Sequence, residues 1–394
     1  MSLSLLDPAF LALLLAVGLL RRWVPARGHG HFGLLASAGL IGLASPATLA
    51  VIAGLALGYL YPTALAIRRL RWGRQQPLRA RWLLLAAVLG LVAIMVVFKL
   101  DRHFTLPWFG EGRVHAVLGS LIGFSYFLFK AINYLYMHYL LDLPDRGPAT
   151  LLHFALFPST ITSGPIQKYQ EFRAQAAAPL PLDRALLLAS GYRVTRGLFR
   201  KLCLAYALDG AVAAILARGE LNAPWSALLV ACLYLYFYFD FAGYSDLAIG
   251  FGGLLGFKVP ENFKEPFRAT SITEFWRNWH VSLGDWFRDH VFIPLGGMRL
   301  GGVRAAALAF AIMFLCGLWH GLTLPFLAWG LWHGSNIFVE GILGVRPVPR
   351  GARGGVGYWA RVASTNARTA FGAVFFLPSL DATRQVLLGF VTWS

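Results

Sequence analysis

Charge is scarce in this chain. Of its 394 residues only 13% are Asp, Glu, Lys or Arg, while 57% are hydrophobic and 14% aromatic. Ordinary soluble domains carry about 25% charged and about 45–50% apolar residues, so too little polar surface is left to cover a water-soluble body of this size. A soluble enzyme and a disordered chain are excluded, and an integral membrane protein fits. Cysteine is nearly absent as well. Cys203, Cys232 and Cys316 lie far apart in apolar sequence, with no CxxC pair and no zinc spacing, which excludes a disulfide scaffold and leaves small core residues. The common catalytic strings are missing too: there is no GxSxG elbow, no HExxH and no P-loop. The one GxGxxG match, GHGHFG at 28–33, follows no strand and lies in no βαβ unit, so it reads as a loop.

Acids are the scarcer sign, 18 against 35 basic residues, for a net charge of +17. The basic residues lie between apolar runs instead of along one polar face, which argues against nucleic acid. Such placement is what orientation by the positive-inside rule produces. The run 8–20 has no basic region before it and no small-residue cleavage site after it, so it reads as a retained span and not a signal peptide. Arg21, Arg22, Arg27 and the segment RRLRWGRQQPLRAR at 68–81 then belong on the cytoplasmic side, with the N-terminus outside.

A spanning helix needs about 20 mostly apolar residues. By that ruler 5–20 is a short first span, and 32–67 is a hairpin of two short spans broken at Pro46. Residues 83–100 and 114–141 are further spans; Lys130 and Asn133 in the latter should face a bundle interior or a watery cavity. Residues 151–169, broken by Pro158, Gly164 and Pro165, read as re-entrant or interfacial, and 183–201 as an amphipathic helix at the cytoplasmic surface. Residues 223–241 and 245–257 read as a bent pair of helices, 305–319 and 324–343 as two more spans. The tail 369–391 is apolar but cut by Pro378 and Asp381. The expectation is a single all-α, multi-pass membrane domain over 1–394, with about ten passes and one or two re-entrant pieces.

Few polar residues remain, and they gather. Three of the ten histidines directly follow tryptophan, His280, His320 and His333; random placement would give about a third of one such pair. Two of them sit in a pentapeptide that occurs twice, GLWHG at 317–321 and 330–334. Each copy is also a GxxxG, whose glycines let helices approach closely, and packing is the reading for His333. His320 lies in an otherwise apolar helix, and His280 lies in FWRNWHVSLGDWFRDH with Arg277, Asn278, Asp285, Arg288 and Asp289. An imidazole inside a span must find a partner, and its ordinary pKa near 6.5 suits proton transfer. Two such histidines converging in a cavity would let one take a proton from an acceptor hydroxyl while the other orients a carbonyl. Metal binding lacks i, i+4 histidine spacing and an obvious carboxylate, so no metal is expected. A last cluster, Asp240, Tyr244, Ser245 and Asp246, interrupts the apolar run 237–257. Acids there are either site residues or are paired, with an arginine of 268–288 as the expected partner.

These blocks resemble a known family. PENFKEPFRATSITEFWRNWHVSLGDWFRDHVFIPLGG at 260–297, followed by GLWHG at 317–321, is similar to the membrane-bound O-acyltransferases, and YFDFAGYSDLAIGFGGLLGF and FPSTITSGPIQKY at 157–169 are similar to further blocks of its bacterial branch. The resemblance runs from about residue 100 to 345, the expected acyltransferase core, and more loosely over 371–390. It implies a funnel- or tunnel-shaped fold with the site near mid-membrane, His320 as catalytic base and His280 as its companion. Trp279, Asn278, Arg277, Asp285, Arg288, Asp240, Tyr244, Ser245, Asp246 and Trp319 are the substrate-binding or supporting candidates. FIPLGGMRLGG at 292–302 looks like the alginate-type polysaccharide O-acetyltransferases, whereas STITSGPIQKYQEF looks like the proteins that carry D-alanine to teichoic acids, and the two remain open.

The function expected is acyl transfer from a cytoplasmic thioester, acetyl-coenzyme A or an acyl carrier protein, to a hydroxyl reached from the outer side. His280 would support the base or stabilise charge at the thioester carbonyl. No cofactor is expected to be bound permanently. The expected partners are that donor, an envelope polymer or extracytoplasmic transferase as acceptor, and the lipid of a bacterial cytoplasmic membrane. The basic segments 68–81 and 193–201 would hold donor phosphates, or only orient the chain. The alternatives are a transporter or channel, with Lys130, Asp240 and Asp246 marking a pathway, and an inactive scaffold.

Overall fold

A computed structural model describes residues 7–25, 28–104, 121–144 and 147–392. Residues 5–6 of the first expected span, Arg27 of the basic stretch and 114–120 of the span 114–141 lie outside the described residues. The fold is all-helical, 78% helix, and no strand forms among the described residues. Among the described residues, four helices are long and apolar enough to cross a membrane: Pro46–Gly73, Pro77–Leu100, Ala223–Leu254 and Gly302–His320. The chain packs as two compact units, Met1–Thr195 with Ser245–Pro260, and Arg196–Tyr244 with Glu261–Ser394.

The first unit opens with α1 (Pro8–Leu20), whose N-cap Asp7 accepts from Ala9 N at 2.8 Å. Next come α2 (His29–Ala44) and α3 (Pro46–Gly73). The break expected at Pro46 is there. Ser45 is extended and its hydroxyl accepts from Thr48 N, so a proline that cannot donate starts a new helix instead of interrupting one. Residues 28–33 are not the expected loop: Gly28 caps α2, and His29 to Gly33 form its first turn, tied back by His29 Nε2 on Val24 O at 2.8 Å. A GxGxxG string without a strand before it has nothing to stop a helix from starting. Helix α4 follows at Pro77–Phe104.

Helix α5 (Phe124–Leu140) buries Lys130 and Asn133, as expected, toward the unit's interior. There they hold the broken segment after α6 (Pro148–Ala155). Lys130 Nζ donates to Phe154 O at 3.0 Å and to the Thr160 hydroxyl at 3.1 Å, while Asn133 Oδ1 accepts from Tyr169 N, the first residue of α7 (Tyr169–Ala177). Helix α8 (Arg184–Phe199) continues through a π-turn at Arg200–Ala205 into α9 (Tyr206–Leu216).

Helix α10 corrects an expectation. Instead of a bent pair, one helix runs over Ala223–Leu254, 32 residues. Its only proline, Pro224, sits in the first turn, where a missing N–H costs nothing. Its polar residues are satisfied without leaving the helix. Asp240 pairs with Lys201, and Asp246 pairs with Arg193 at 2.7 Å. The arginines of 268–288, expected as partners, are not the ones used.

The second unit holds α11 (Ile272–Asn278), α12 (Val281–Phe287), α13 (Gly302–His320) and α14 (Leu324–Ile342). Helices α13 and α14 form a tight antiparallel hairpin. A Cβ added at Gly341 would meet Ala306, one at Gly334 would meet Phe310, and one at Gly330 would meet Phe314. The repeat thus packs as its GxxxG spacing implies. The tail forms α15 (Gly355–Gly372), a 3₁₀ turn at Ala373–Phe376 and α16 (Leu380–Gly389), with Pro378 at the break. Helix α15 was not anticipated. Tyr358, Val362, Thr365 and Thr369 supply its buried face at helical spacing.

Candidate active site

The site lies in the second unit and is assembled from three short pieces. Helix α11 is held at its start by Ser271, whose hydroxyl accepts from Glu274 N at 3.0 Å, and by buried Glu340 of α14, which accepts from Ile272 N at 2.8 Å and Thr273 N at 3.0 Å. Its end leads through Trp279 to His280, which sits in the left-handed region at φ 48°, ψ 50°. A non-glycine residue there is uncommon and is sustained only by its surroundings. Here those are the segment 262–264, clipped alongside 278–281: Lys264 N donates to Asn278 O, Val281 N donates to Asn262 O, and Phe263 bridges Trp279. Past His280 the chain turns into α12, with Leu283 N and Gly284 N both donating to the His280 carbonyl.

The His280 side chain is buried at 6% exposure. Its Nδ1 lies 3.3 Å from Asn262 Oδ1, and the Phe241 ring stands edge-on at 4.7 Å. Burial, and then the nearby His320, push its pKa down to about 3, so the ring is neutral at physiological pH. His320 is the last residue of α13; after it Gly321 is extended and the helix stops. Its ring is half-buried among Trp319 (4.8 Å), Phe376 (5.0 Å), Trp329 (5.2 Å) and Phe326 (5.9 Å). His320 thus lies near enough to His280, and also to the packed His333, to act on each electrostatically, in an aromatic-walled place where such effects are stronger than in water. That arrangement supports proton transfer at a hydroxyl.

The other expected residues divide. Trp319 is buried beside His320. Trp279 is half-buried in an aromatic group with Phe263 and Phe275, and Phe263 also touches Phe241. Asn278 contributes its backbone carbonyl to the clip. Arg277 is exposed, and Arg288 bridges Asp285 (2.5 Å) and Asp289 (2.9 Å) in a solvent-facing ion cluster. Asp240 with Lys201 is an ion pair of the second unit; Asp246 with Arg193 is one of the first, where Ser245 is also buried. Tyr244 is half-buried. Lys130 and both acids thus have structural partners, which accounts for the charges that motivated a transport pathway. Among the described residues no three His, Cys, Asp or Glu side chains are grouped to hold a metal.

His333 is 1% exposed, wedged against Trp276 and Trp329 at 4.8 Å each and against the backbone of Gly372, so close that no Cβ would fit there. Asn262, Ser282, Phe241, Trp276, Trp329 and Phe376 were not singled out from the sequence. Asn262 stands two residues after Pro260 in the charged stretch KVPENFKE, where nothing local marks a partner 18 residues away.

This is the architecture of a membrane-embedded acyl-transfer protein family. The model of the membrane-bound O-acyltransferase family matches residues 139–345, and the chain belongs to that family. The Pseudomonas fluorescens protein named "Probable alginate O-acetylase AlgI" is 36% identical over 280 residues, covering 68% of this chain and 53% of that protein. The teichoic acid D-alanyltransferase of Bacillus subtilis is 33% identical over 229 residues, 54% of this chain and 57% of its own length. The peptidoglycan O-acetyltransferase of Helicobacter pylori is 40% identical over 103 residues, 26% of this chain and 20% of its own. The chain spans about half the length of the alginate and teichoic acid relatives.

Proposed function

We propose that this protein moves an acyl group, acetyl or D-alanyl, from a cytoplasmic thioester to a hydroxyl on the extracytoplasmic side of a bacterial cytoplasmic membrane. The convergence of His280 and His320 carries this reading, inside the segment that the family model matches. The donor is acetyl-coenzyme A or an acyl carrier protein, and the acceptor is an envelope polymer such as alginate, peptidoglycan or teichoic acid, or a transferase that serves one. The apolar helices form a funnel of about ten passes with the N-terminus outside.

His320 takes the proton of the acceptor hydroxyl as that oxygen bonds to the thioester carbonyl carbon. The tetrahedral intermediate collapses, the C–S bond breaks, and the proton passes to the departing thiolate sulfur. His280, with Trp279 and Trp319 around the pair, supports the base or the charge at the carbonyl. The test supplies labelled acetyl-coenzyme A or D-alanyl carrier protein to reconstituted protein and follows the label. His320→Ala should lose about 100- to 10,000-fold in transfer, the usual share of a general base, and His280→Ala should also lose transfer. Unchanged polymer acylation in His320→Ala sinks the reading.

A further inference from the structure

One polar residue beside His280 has a more constrained place than any of the expected supporting residues. Asn262 is 0% exposed, and its Oδ1 faces three groups: the Ser282 hydroxyl at 2.7 Å, Ser282 N at 3.3 Å and His280 Nδ1 at 3.3 Å. Its own carbonyl accepts from Val281 N at 3.0 Å, so backbone and side chain brace the same turn.

The chemistry of these groups fixes a proton. A backbone N–H only donates, so the amide atom facing Ser282 N is the oxygen and not the nitrogen. An oxygen that accepts from Ser282 can only accept from His280 as well, so Nδ1 carries the hydrogen. In a neutral imidazole the other nitrogen is then the acceptor.

We propose that Asn262, oriented by Ser282, is a positioning residue that holds His280 in the Nδ1–H tautomer and thereby makes Nε2 a proton acceptor. This rests on the acyl-transfer reading and narrows it, because that reading leaves His280 two roles. A ring with its lone pair on Nε2 cannot donate to an oxyanion at the thioester carbonyl. It presents a lone pair instead, whose negative potential favours a nearby protonated His320, so His280 stabilises the charged base. The left-handed backbone of His280 lies at the turn that the 262–264 segment clips, next to the Asn262 side chain that faces its ring. Burial and the adjacent His320 both favour a neutral His280, the form in which tautomers are distinct.

The test reads the tautomer directly. Protein labelled with [15N]histidine is reconstituted in lipid and examined by solid-state NMR, with His280→Asn identifying the His280 signals. The wild type should show a protonated Nδ1 and an unprotonated Nε2. Asn262→Leu should give a mixture of tautomers and lower kcat by about 10- to 100-fold, the loss seen when a partner one step removed from the reacting group is deleted, with the donor KM unchanged. Asn262→Asp keeps an acceptor and should restore Nδ1–H and most of kcat. A wild-type Nε2–H tautomer overturns the proposal, and so does a tautomer unchanged in Asn262→Leu. If Asn262→Leu does not fold, the smaller Asn262→Ala replaces it; it removes the same acceptor and should shift part of the population toward Nε2–H, and no shift overturns the proposal. The spectrum needs no turnover, so a wild type that transfers no label defeats the acyl-transfer reading while the tautomer result still stands.

Discussion

At the scale of single residues, the site depends on groups that never meet a reacting atom. Glu340 is 4% exposed, and its carboxylate accepts from Ile272 N, Thr273 N and the Thr273 hydroxyl (3.2 Å) while pairing with Arg368 at 3.2 Å. The first N–H groups of a helix have no intrahelical partner, so this one carboxylate both caps α11 and fixes its axis. Helix α11 has only seven residues and delivers Trp279 and His280 from its far end. Glu340→Ala would leave two N–H groups buried and Arg368 without its counter-ion. The expected cost is about 1–3 kcal/mol for the unsatisfied buried groups, read as a lower thermal midpoint of the purified protein, with transfer activity falling in parallel. Glu340→Gln, which keeps an acceptor but not the charge, should fall between the two; a Glu340→Ala protein as stable as the wild type would contradict this account of α11.

At the scale of elements, the α13–α14 hairpin sets where His320 stands. A Cβ at Gly317 would meet the Phe326 carbonyl oxygen at 2.5 Å and Gly330 at 3.0 Å, so the helices touch through backbone one turn before His320. Gly317→Val must push them apart, at about 1–3 kcal/mol for an overpacked contact. Because His320 ends α13 while Phe326 and Trp329 belong to α14, the base moves away from its own wall. Transfer should drop at least tenfold even in protein that still elutes as a single folded species; a folded, fully active Gly317→Val would separate the hairpin from the site. This hairpin was legible in the sequence, because GLWHG states both its glycines and its histidine locally. So was the break at Pro46, where one residue type decides. The continuous α10 was not legible: the acids that suggested a break in it are neutralised by Lys201 and Arg193, 39 and 53 residues away. His280 could be singled out from its dipeptide, but not Asn262, whose value lies in a contact 18 residues away.

At the scale of the whole molecule, the net charge of +17 bears on threading. Six arginines lie in residues 68–81, and that segment contains no acid. The structure makes it compact: α3 runs to Gly73 and α4 starts at Pro77, so two candidate spans are joined by the short connection 74–76. Gln75 is exposed there, in a left-handed turn at φ 50°. The bias of Lys and Arg in short loops sets orientation, so the proposed threading puts this connection on the cytoplasmic side. The remaining arginines of the segment are mounted on the last turns of α3 and the first of α4, where the positive charge flanks both spans at one membrane face. If the donor is a cytoplasmic thioester, the same threading decides which end of the site it enters from. Gln75→Cys, in a chain whose Cys203, Cys232 and Cys316 are replaced by alanine, should stay unlabelled by a membrane-impermeant maleimide in intact cells and react once the membrane is opened. Labelling in intact cells would turn the molecule over and place the thioester on the wrong side. Replacing the six arginines with glutamine should weaken that orientation and give a mixed population by the same assay, whereas replacing the exposed Arg277 and Arg288 should leave it unchanged.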